Sequence, residues 1–263
     1  MEKRKSNMER VLVAFENVSL CYQAPQGETQ ALKDVSLSIQ EGEFVAIVGP
    51  SGCGKTTMLS MIMGLMAPTR GKVLYPAGKC PMGYMLQRDH LLEWRTVEKN
   101  VLLGLEVRHN LNEESREKAL TLLDTYGLGE FVSFKPNQLS GGMRQKVALI
   151  RTLALEPELL LLDEPFSALD YQTRLNLGDE MRAIIKEQSK TAVLVTHDIG
   201  EAVSMADRVL VLSGRPAMLK KEVLLPFPPE MTPLRRREEP AFQPCFKKIW
   251  EALNGSGIQE AKE

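Results

Sequence analysis

Cysteine is scarce in this sequence, and its few cysteines are far apart. None of them stands in a CxxC pair, which argues against a zinc knuckle and against a disulfide-stapled secreted domain. The four residues are Cys21, Cys53, Cys80 and Cys245. A reducing cytosol is therefore the expected environment.

Long apolar runs are also absent, which bears on the relation to membranes. No stretch approaches the ~18 consecutive apolar residues that a membrane-spanning helix needs. The basic start is followed by only five apolar residues, 11–15, before Glu16, which is too short for the core of a signal peptide. We therefore expect a chain that neither spans a bilayer by itself nor is exported.

Neither sign of charge dominates. Lys and Arg number 33 and Asp and Glu number 34, for a formal net charge of −1. The chain has no global excess of positive charge that would attract nucleic acid, so any polyanion must bind at a local site. We therefore expect no nucleic-acid partner. The 263 residues, 43% hydrophobic and 25% charged, fit one large α/β domain or two small ones.

The hydrophobic pattern divides the chain into strand-like and helical parts. Strand-like segments occur at 11–15, 18–22, 35–39, 44–48, 159–162 and 192–195. The first three, separated by turn residues, predict an antiparallel β layer. The last three are apolar throughout, as in strands buried on both faces of a parallel sheet. Between about 91 and 156 the periodicity is helical, which predicts a helical insert.

Beyond Leu212 the composition changes again. The chain becomes rich in proline and carries three consecutive arginines, 235–237, followed by two glutamates. This pattern predicts a tail that wraps the domain and ends in one short helix, 246–253. A run of three charges is more often a solvated face than a binding site, so the arginines alone indicate no function.

A glycine-rich segment between the strand 44–48 and a predicted helix from Lys55 to about 65 matches the pattern Gly-x4-Gly-Lys-Thr. Its residues are Gly49, Pro50, Ser51, Gly52, Cys53, Gly54, Lys55, Thr56 and Thr57. Such a P-loop curls so that backbone N–H groups and a helix N-terminus face the β-phosphate of a nucleotide. Lys55 would reach the β- and γ-phosphates, and Thr56 would supply a hydroxyl to Mg²⁺. The alternative is a chance glycine loop.

Two adjacent carboxylates end the apolar strand 159–162. Neighbouring side chains on a strand point to opposite faces, so Asp163 and Glu164 can have separate tasks. Because the chain also contains a P-loop, Asp163 is expected to be a ligand of Mg²⁺. Glu164 is expected to act as general base on a water molecule in line with the γ-phosphate. The alternative is a solvated Asp-Glu pair at a strand end.

The heptapeptide Leu-Ser-Gly-Gly-Met-Arg-Gln at 139–145 closely resembles the signature motif of ATP-binding-cassette (ABC) ATPases. Physically it is a second phosphate-binding element. Ser140 caps a helix that starts near Met143, and Gly141 and Gly142 leave backbone N–H groups open to an anion. In that family this element binds the γ-phosphate of a nucleotide held by a second subunit. With one copy of each motif, the resemblance implies a second ATP-binding subunit, identical or a paralogue.

Four further residues match positions of that family. Tyr22 resembles the aromatic residue that stacks on adenine, although a lone tyrosine is more often core or surface. Gln87 resembles the glutamine that touches Mg²⁺ and the attacking water and tethers the helical insert. Asp170 resembles the residue at which two subunits communicate, and His197 resembles the switch that contacts the γ-phosphate. His90 and His109 match no such position and are expected on the surface.

The resemblance implies an α/β P-loop NTPase of the RecA-like type, with ATP and Mg²⁺ as cofactors. Its parallel-sheet core would carry an N-terminal antiparallel β subdomain and the helical subdomain, about 88–156, as an insert. We expect residues 1–225 to form the ABC-type nucleotide-binding domain and 226–263 to form the Pro/Arg-rich tail.

Over about residues 10–255 the chain is similar to the ATP-binding subunits of bacterial importers of the nitrate, sulfonate, taurine and bicarbonate group. The run 90–101 carries this likeness, with Glu93 in place of the usual proline. This likeness implies a peripheral ATPase at the cytoplasmic face of the membrane. The ATPase would drive a separate permease that imports a small oxyanion or sulfonate. A periplasmic or lipid-anchored solute-binding protein would serve the permease.

The same likeness places a permease-binding groove at 88–105, with Leu91, Leu92 and Trp94 as apolar anchors. The alternative for these three residues is a place in the core. One departure from the family pattern is Cys53, which lies beside Lys55 and a helix N-terminus. Both features stabilise a thiolate, which makes a reactive Cys53 one hypothesis, but a small residue tolerated for its size is the more common explanation.

Three alternative functions remain. An ABC exporter ATPase would share the fold, but we expect a different segment after Gln87 and no such tail. A soluble, non-transport ABC ATPase typically carries two cassettes in one chain or a long coiled-coil insertion, and this chain has neither. A nucleoside or small-molecule kinase would leave the motif at 139–142 and His197 unexplained.

Overall fold

The structure is a computed structural model that describes residues 10–24 and 27–255. Its N-terminal layer is an antiparallel sheet in the order β2-β1-β4. The strands are β1 (Val11–Ala24), β2 (Gly27–Gln40) and β4 (Arg70–Leu74). The segments 11–15 and 18–22, predicted as two strands, belong to β1. Asn17 has a φ of 48°, and the register shifts between Phe15 and Val18, so a bulge interrupts the alternation within one strand.

The second sheet has six strands in the order β5-β6-β7-β3-β8-β9. They are β3 (Phe44–Val48), β5 (Met82–Met85), β6 (Leu159–Asp163), β7 (Thr191–Thr196), β8 (Arg208–Leu212) and β9 (Leu219–Leu224). The first five in the spatial order are parallel, and β9 is antiparallel to β8. Every residue of β3, β6, β7 and β8 is buried, which explains their continuous apolar sequences.

Helices follow three strands of this sheet. Helix α1 (Lys55–Met63) follows β3 and ends at Gly64, whose φ of 79° is the left-handed conformation that glycine adopts readily. Helices α5 (Tyr171–Glu187) and α6 (Ile199–Met205) follow β6 and β7. Because β3, β6 and β7 are parallel, the segments that follow them begin at one edge of the sheet, where a ligand can meet all three.

The helical insert is confirmed and has a hydrophobic core of its own. It contains α2 (Val97–Val107), α3 (Glu113–Thr125) and α4 (Gly141–Leu153), with short 3₁₀ turns at Gly129–Phe131 and Pro136–Gln138. Leu91, Val101, Leu123 and Val147 are among its buried residues. The insert is also joined to the main sheet, because Ala148, Leu149 and Leu153 of α4 belong to the core cluster of that sheet.

The C-terminal part contains two helices where one was predicted: α7 (Pro233–Glu238) and α8 (Phe242–Asn254). Thr232 caps α7 and Pro233 occupies its first turn, a start signal that the prediction missed. Helix α8 begins four residues earlier than expected, because Pro244 lies in its first turn, where proline is tolerated. Within the described ranges, every helix is too short or too polar to cross a lipid bilayer.

The arginine run is not a uniform solvated face. Arg236 is fully buried, and its guanidinium donates to the Ala206 carbonyl oxygen at 2.5 Å and lies over the Phe227 ring at 5.4 Å. Burial lowers the pKa of Arg236 to about 10. Phe242 and Ile249 of α8 are buried in the core cluster of the main sheet. The tail is therefore packed into the fold.

Candidate functional site

The glycine-rich segment joins the end of β3 to the start of α1. Gly52 and Gly54 have φ values of 72° and 121°, conformations that side-chain-bearing residues rarely adopt. Lys55 is buried, and its Nζ donates to the carbonyl oxygens of Gly49 (2.9 Å) and Pro50 (3.2 Å). No side chain caps α1, so N–H groups of its first turn are free to bind an anion.

Asp163, at the end of β6, is held by two hydroxyl groups. Thr56 Oγ1 donates to its Oδ1 at 3.1 Å, and the Tyr84 hydroxyl donates to its Oδ2 at 3.2 Å. Burial raises the pKa of the Asp163 carboxyl, and both hydrogen bonds oppose that rise. Burial and the neighbouring Asp163 also raise the pKa of Tyr84.

Sequence reasoning missed Tyr84. Tyr84 lies in β5, and its contact with Asp163 depends on the pairing of β5 with β6. The sequence signal that could have identified Tyr84 is its position three residues before Gln87.

Thr56 and Asp163 provide the hard oxygen ligands that Mg²⁺ prefers. The described part of the chain contains no group of three or more His, Cys, Asp or Glu residues arranged to hold a metal ion. Two oxygen side chains fit an ion that takes its other ligands from phosphate oxygens and water, as Mg²⁺ usually does.

Glu164 lies among three other residues that the sequence predicted for the site. Its Oε2 is 3.2 Å from His197 Nδ1 and accepts from Gln87 Nε2 at 3.4 Å, and its Oε1 is 3.9 Å from Lys55 Nζ. Glu164 has a φ of 46°, and its backbone N–H donates to the Val195 carbonyl oxygen at 2.8 Å. A bond to the adjacent strand therefore holds a carboxylate where it can accept a proton.

Lys55, Gln87, Asp163 and Glu164, but not His197, line an open cavity of about 460 Å³, within the range of small-molecule sites. Its lining comprises Tyr22, Ala31, Ser51, Gly52, Gly54, Lys55, Thr56, Thr57, Gln87, Asp163, Glu164 and Arg215. The structure thus brings most of the predicted residues to one place. A larger cavity, about 630 Å³, lies between α3 and the C-terminal ends of α4 and α5, and it contains none of them.

Tyr22 and Arg215 lie at the rim of the smaller cavity. The Tyr22 hydroxyl is 2.9 Å from Thr57 Oγ1, and its partly exposed ring is available for stacking. Arg215 Nη2 donates to the Gly52 carbonyl oxygen at 2.7 Å. The sequence carries no signal for Arg215, because only the loop between β8 and β9 brings it to the P-loop.

The signature motif lies outside this cavity lining. Ser140 caps α4 by accepting from Met143 N at 3.3 Å, so the helix begins at Gly141, two residues earlier than predicted. A Cβ atom on Gly141 would lie 3.1 Å from a methyl carbon of Leu169, and one on Gly142 would lie 3.0 Å from a methyl carbon of Thr173. The glycines therefore allow the motif to lie close against the segment that leads into α5.

Asp170 is also outside the lining and caps α5. Its side chain accepts from Thr173 N at 3.0 Å, a bond that lowers the pKa of the Asp170 carboxyl. Since Gly142 lies against Thr173, the motif at 139–142 and Asp170 occur on neighbouring parts of the surface.

Burial favours one of the two interpretations given for each of two residues. Cys53 is buried, and burial raises the pKa of its thiol despite the opposing charge of Lys55, so the reactive thiolate is disfavoured. Leu91 is buried in the core of the helical insert and cannot anchor a partner, whereas Trp94 is 73% exposed. His90 and His109 are exposed, as predicted.

The comparisons with known proteins identify the family. The family model described as ABC transporter matches residues 32–167, and the chain belongs to that family. It is 47% identical over 252 residues to the uncharacterized ABC transporter ATP-binding protein YtlC of Bacillus subtilis (strain 168), covering 93% of this chain and 96% of that protein. It is 39% identical over 221 residues to the taurine import ATP-binding protein TauB of Ruegeria pomeroyi, covering 82% of each.

A solved structure extends the similarity to three dimensions. The chain resembles the dimeric structure of a post-hydrolysis state of the ATP-binding cassette MJ0796 bound to ADP and Pi, with a TM-score of 0.69 and 35% identity, over 82% of this chain and 100% of that one. The predicted family and the P-loop NTPase fold are confirmed. The chain is an ATP-binding protein and an ATPase of this family.

Proposed function

We propose that this chain is the ATP-hydrolysing subunit of an ABC importer and acts at the cytoplasmic face of the membrane. The observation that carries the proposal is the division of the site. The P-loop, Asp163 and Glu164 share one cavity, whereas Ser140 and its glycines lie outside it. One chain therefore carries both halves of a nucleotide site, but the two halves do not line the same cavity.

In the proposed mechanism, the P-loop binds the phosphates of ATP. Lys55 would exchange its bonds to the Gly49 and Pro50 carbonyl groups for phosphate oxygens. Thr56 and Asp163 would hold Mg²⁺, which neutralises charge on the β- and γ-phosphates when bound. Tyr22 would stack on the adenine.

Hydrolysis then requires a base and an oriented water. Glu164 would accept the proton of the attacking water, while Gln87 and His197, both within 3.4 Å of its Oε2, would orient the water and the γ-phosphate. Ser140, Gly141 and Gly142 of a second copy would complete the site from the opposite side, and Asp170 would lie at the contact between the copies. ATP would thereby close a dimer, and hydrolysis would open it.

The dimer is proposed to drive a membrane permease that binds near Trp94, on the face formed by 88–105. TauB, 39% identical, is named for taurine import. We propose a small oxyanion or sulfonate, such as taurine, nitrate, another sulfonate or bicarbonate, delivered by a solute-binding protein. In this scheme residues 1–225 form the nucleotide-binding domain, with 88–156 as its insert, and 226–263 form the C-terminal tail, whose helices α7 and α8 pack against the domain.

The test is affinity purification of tagged Glu164→Gln protein from detergent-solubilised native membranes with ATP and Mg²⁺, followed by mass spectrometry. The expected result is recovery of a polytopic permease, and its solute-binding protein then supplies a target for ligand screening. The Lys55→Ala protein, in which ATP binding should be weakened, is the matched control and should recover less permease. Recovery of soluble partners alone would contradict the importer role and favour a non-transport ABC ATPase.

A further inference from the structure

Arg174, in the first turn of α5, lies between two segments that carry proposed site residues. Its Nη2 donates to the Leu169 carbonyl oxygen at 3.1 Å, in the segment that ends at Asp170. Its Nη1 donates to Asp198 Oδ2 at 3.3 Å, and Asp198 directly follows His197. One guanidinium therefore contacts both the segment of Asp170 and the turn that carries His197.

The turn that carries His197 is fixed by its neighbours. Asp198 Oδ1 accepts from Glu201 N at 3.0 Å, and Asp198 N donates to Thr196 Oγ1 at 3.0 Å. The Thr196 hydroxyl in turn donates to Glu201 Oε2 at 2.6 Å. Because these bonds enclose residues 196–198 on both sides, a displacement of Asp198 changes the orientation of His197.

One donor of Arg174 is unused. Among the described residues its buried Nε has no hydrogen-bond partner, although Glu201 Oε1 lies 3.6 Å away. This distance is slightly longer than a hydrogen bond, so a small rotation of the guanidinium would form one. A second arrangement with one more hydrogen bond is therefore within reach of the Arg174 guanidinium, which is what a coupling element needs.

We propose that Arg174 is a positioning residue that couples the subunit contact at Asp170 to the orientation of His197. The inference rests on the proposed function, in which Asp170 meets a second copy and His197 faces the γ-phosphate. When the copies close, movement of the segment 167–170 shifts the guanidinium through the Leu169 carbonyl. The shift acts on Asp198 and sets His197 in place only after the second copy has arrived. The planar guanidinium of arginine suits this coupling role because its N–H donors move together as one rigid group.

The test compares Arg174→Met with Arg182→Met. Arg182 lies on the same helix and is more deeply buried than Arg174, but it binds Asp207 and the Met205 carbonyl and does not reach the turn 196–198. It therefore reproduces the loss of a hydrogen-bonded guanidinium from α5. For each protein, the melting temperature, the dissociation constant for ATP, kcat and the Hill coefficient for ATP would be measured.

For Arg174→Met we expect kcat to fall roughly 3- to 30-fold, with ATP affinity changed less than about 2-fold and the Hill coefficient reduced toward 1. Arg174→Lys, which keeps the charge but not the fork, should give an intermediate kcat. Arg182→Met should lower the melting temperature while keeping the Hill coefficient of the wild type.

Equal kcat and Hill coefficients in Arg174→Met and Arg182→Met would overturn the inference and leave the proposed function intact. A loss of ATP affinity in proportion to kcat would also overturn it, because Arg174 would then support the P-loop rather than the closed state. A wild-type protein that hydrolyses ATP without cooperativity would contradict the two-copy site itself, and with it the inference.

Discussion

Glu164 Oε2 is shared by two side chains from different elements, His197 Nδ1 at 3.2 Å and Gln87 Nε2 at 3.4 Å. The two contacts place the proposed base where strands β6 and β7 end and β5 leads into the helical insert. An attacking water would enter between these groups. The first prediction tests the base directly.

Replacing Glu164 by Gln keeps the shape of the side chain but removes its ability to accept a proton. We expect hydrolysis to fall about 10²- to 10⁴-fold, the range that a general base contributes, while ATP binding is retained. Steady-state phosphate release and equilibrium nucleotide binding measure the two effects. Glu158→Gln is the matched control, because that partly exposed residue lies just before the other end of β6. Equal turnover in both variants would remove Glu164 from its role.

Tyr84→Phe tests whether the hydroxyl that donates to Asp163 supports the metal site. Without this bond the pKa of the buried Asp163 rises further, so the acidic limb of the pH–activity curve should move to higher pH. The apparent affinity for Mg²⁺ should fall about 10-fold or more, as for other residues that orient a metal ligand. Titration of ATPase activity with Mg²⁺ at several pH values measures both.

Tyr75→Phe is the control for this experiment. It loses a hydroxyl that donates to the Ile62 carbonyl oxygen at 2.8 Å, without a contact to Asp163. If the two phenylalanine variants have the same Mg²⁺ dependence, Tyr84 has no role in holding the metal.

Trp94→Ala tests the permease contact. Because Trp94 is 73% exposed, its removal should leave the melting temperature and the ATPase activity of the isolated protein almost unchanged, while transport falls. Transport in cells or reconstituted vesicles and ATPase assays separate the effects. Trp250→Ala, which removes a tryptophan 52% exposed on α8, should transport normally. Loss of both activities in Trp94→Ala would indicate a structural role.

Glu201 makes a prediction about pH. Burial raises its pKa from the ordinary 4.5 to about 7, against the bond from Thr196 and the charge of Arg174. Because the folded pKa is raised, the stability that the protonated carboxyl contributes is present below pH ~4.5 and is lost as pH rises through about 7.

Glu201→Gln should remove this pH-dependent loss of folding stability, which is at most about 3 kcal/mol between pH 4.5 and 8. Urea unfolding at several pH values measures it. Glu180→Gln, an exposed change on α5, should keep the pH dependence of the wild type. An unchanged pH dependence in Glu201→Gln would show that this carboxyl does not titrate with folding.

Local motifs made much of the site predictable. Lys55, Thr56, Asp163 and Glu164 lie in short segments whose residue types carry their own chemistry. Tyr84 and Arg215 were missed, because strand pairing and a loop from a distant part of the chain bring them to the site.

Burial explains the errors elsewhere in the chain. Neighbouring charge predicted a reactive Cys53, but the fold buries it, and desolvation outweighs the nearby lysine. Arg236 looked like a surface residue because only the tertiary structure supplies the carbonyl oxygens and the ring that hold it. A sequence pattern reports local periodicity and charge, and it does not report which distant groups satisfy a buried cation.

The position of β3 in the sheet has a consequence for synthesis on the ribosome. This strand is made early, yet its two neighbours are β7 and β8, which begin at Thr191 and Arg208. At the usual rates of translation, the delay before the first neighbour is made is on the order of 10 s. During that time a fully apolar strand has no partner, so the nascent chain must be shielded from aggregation until its last third has been translated.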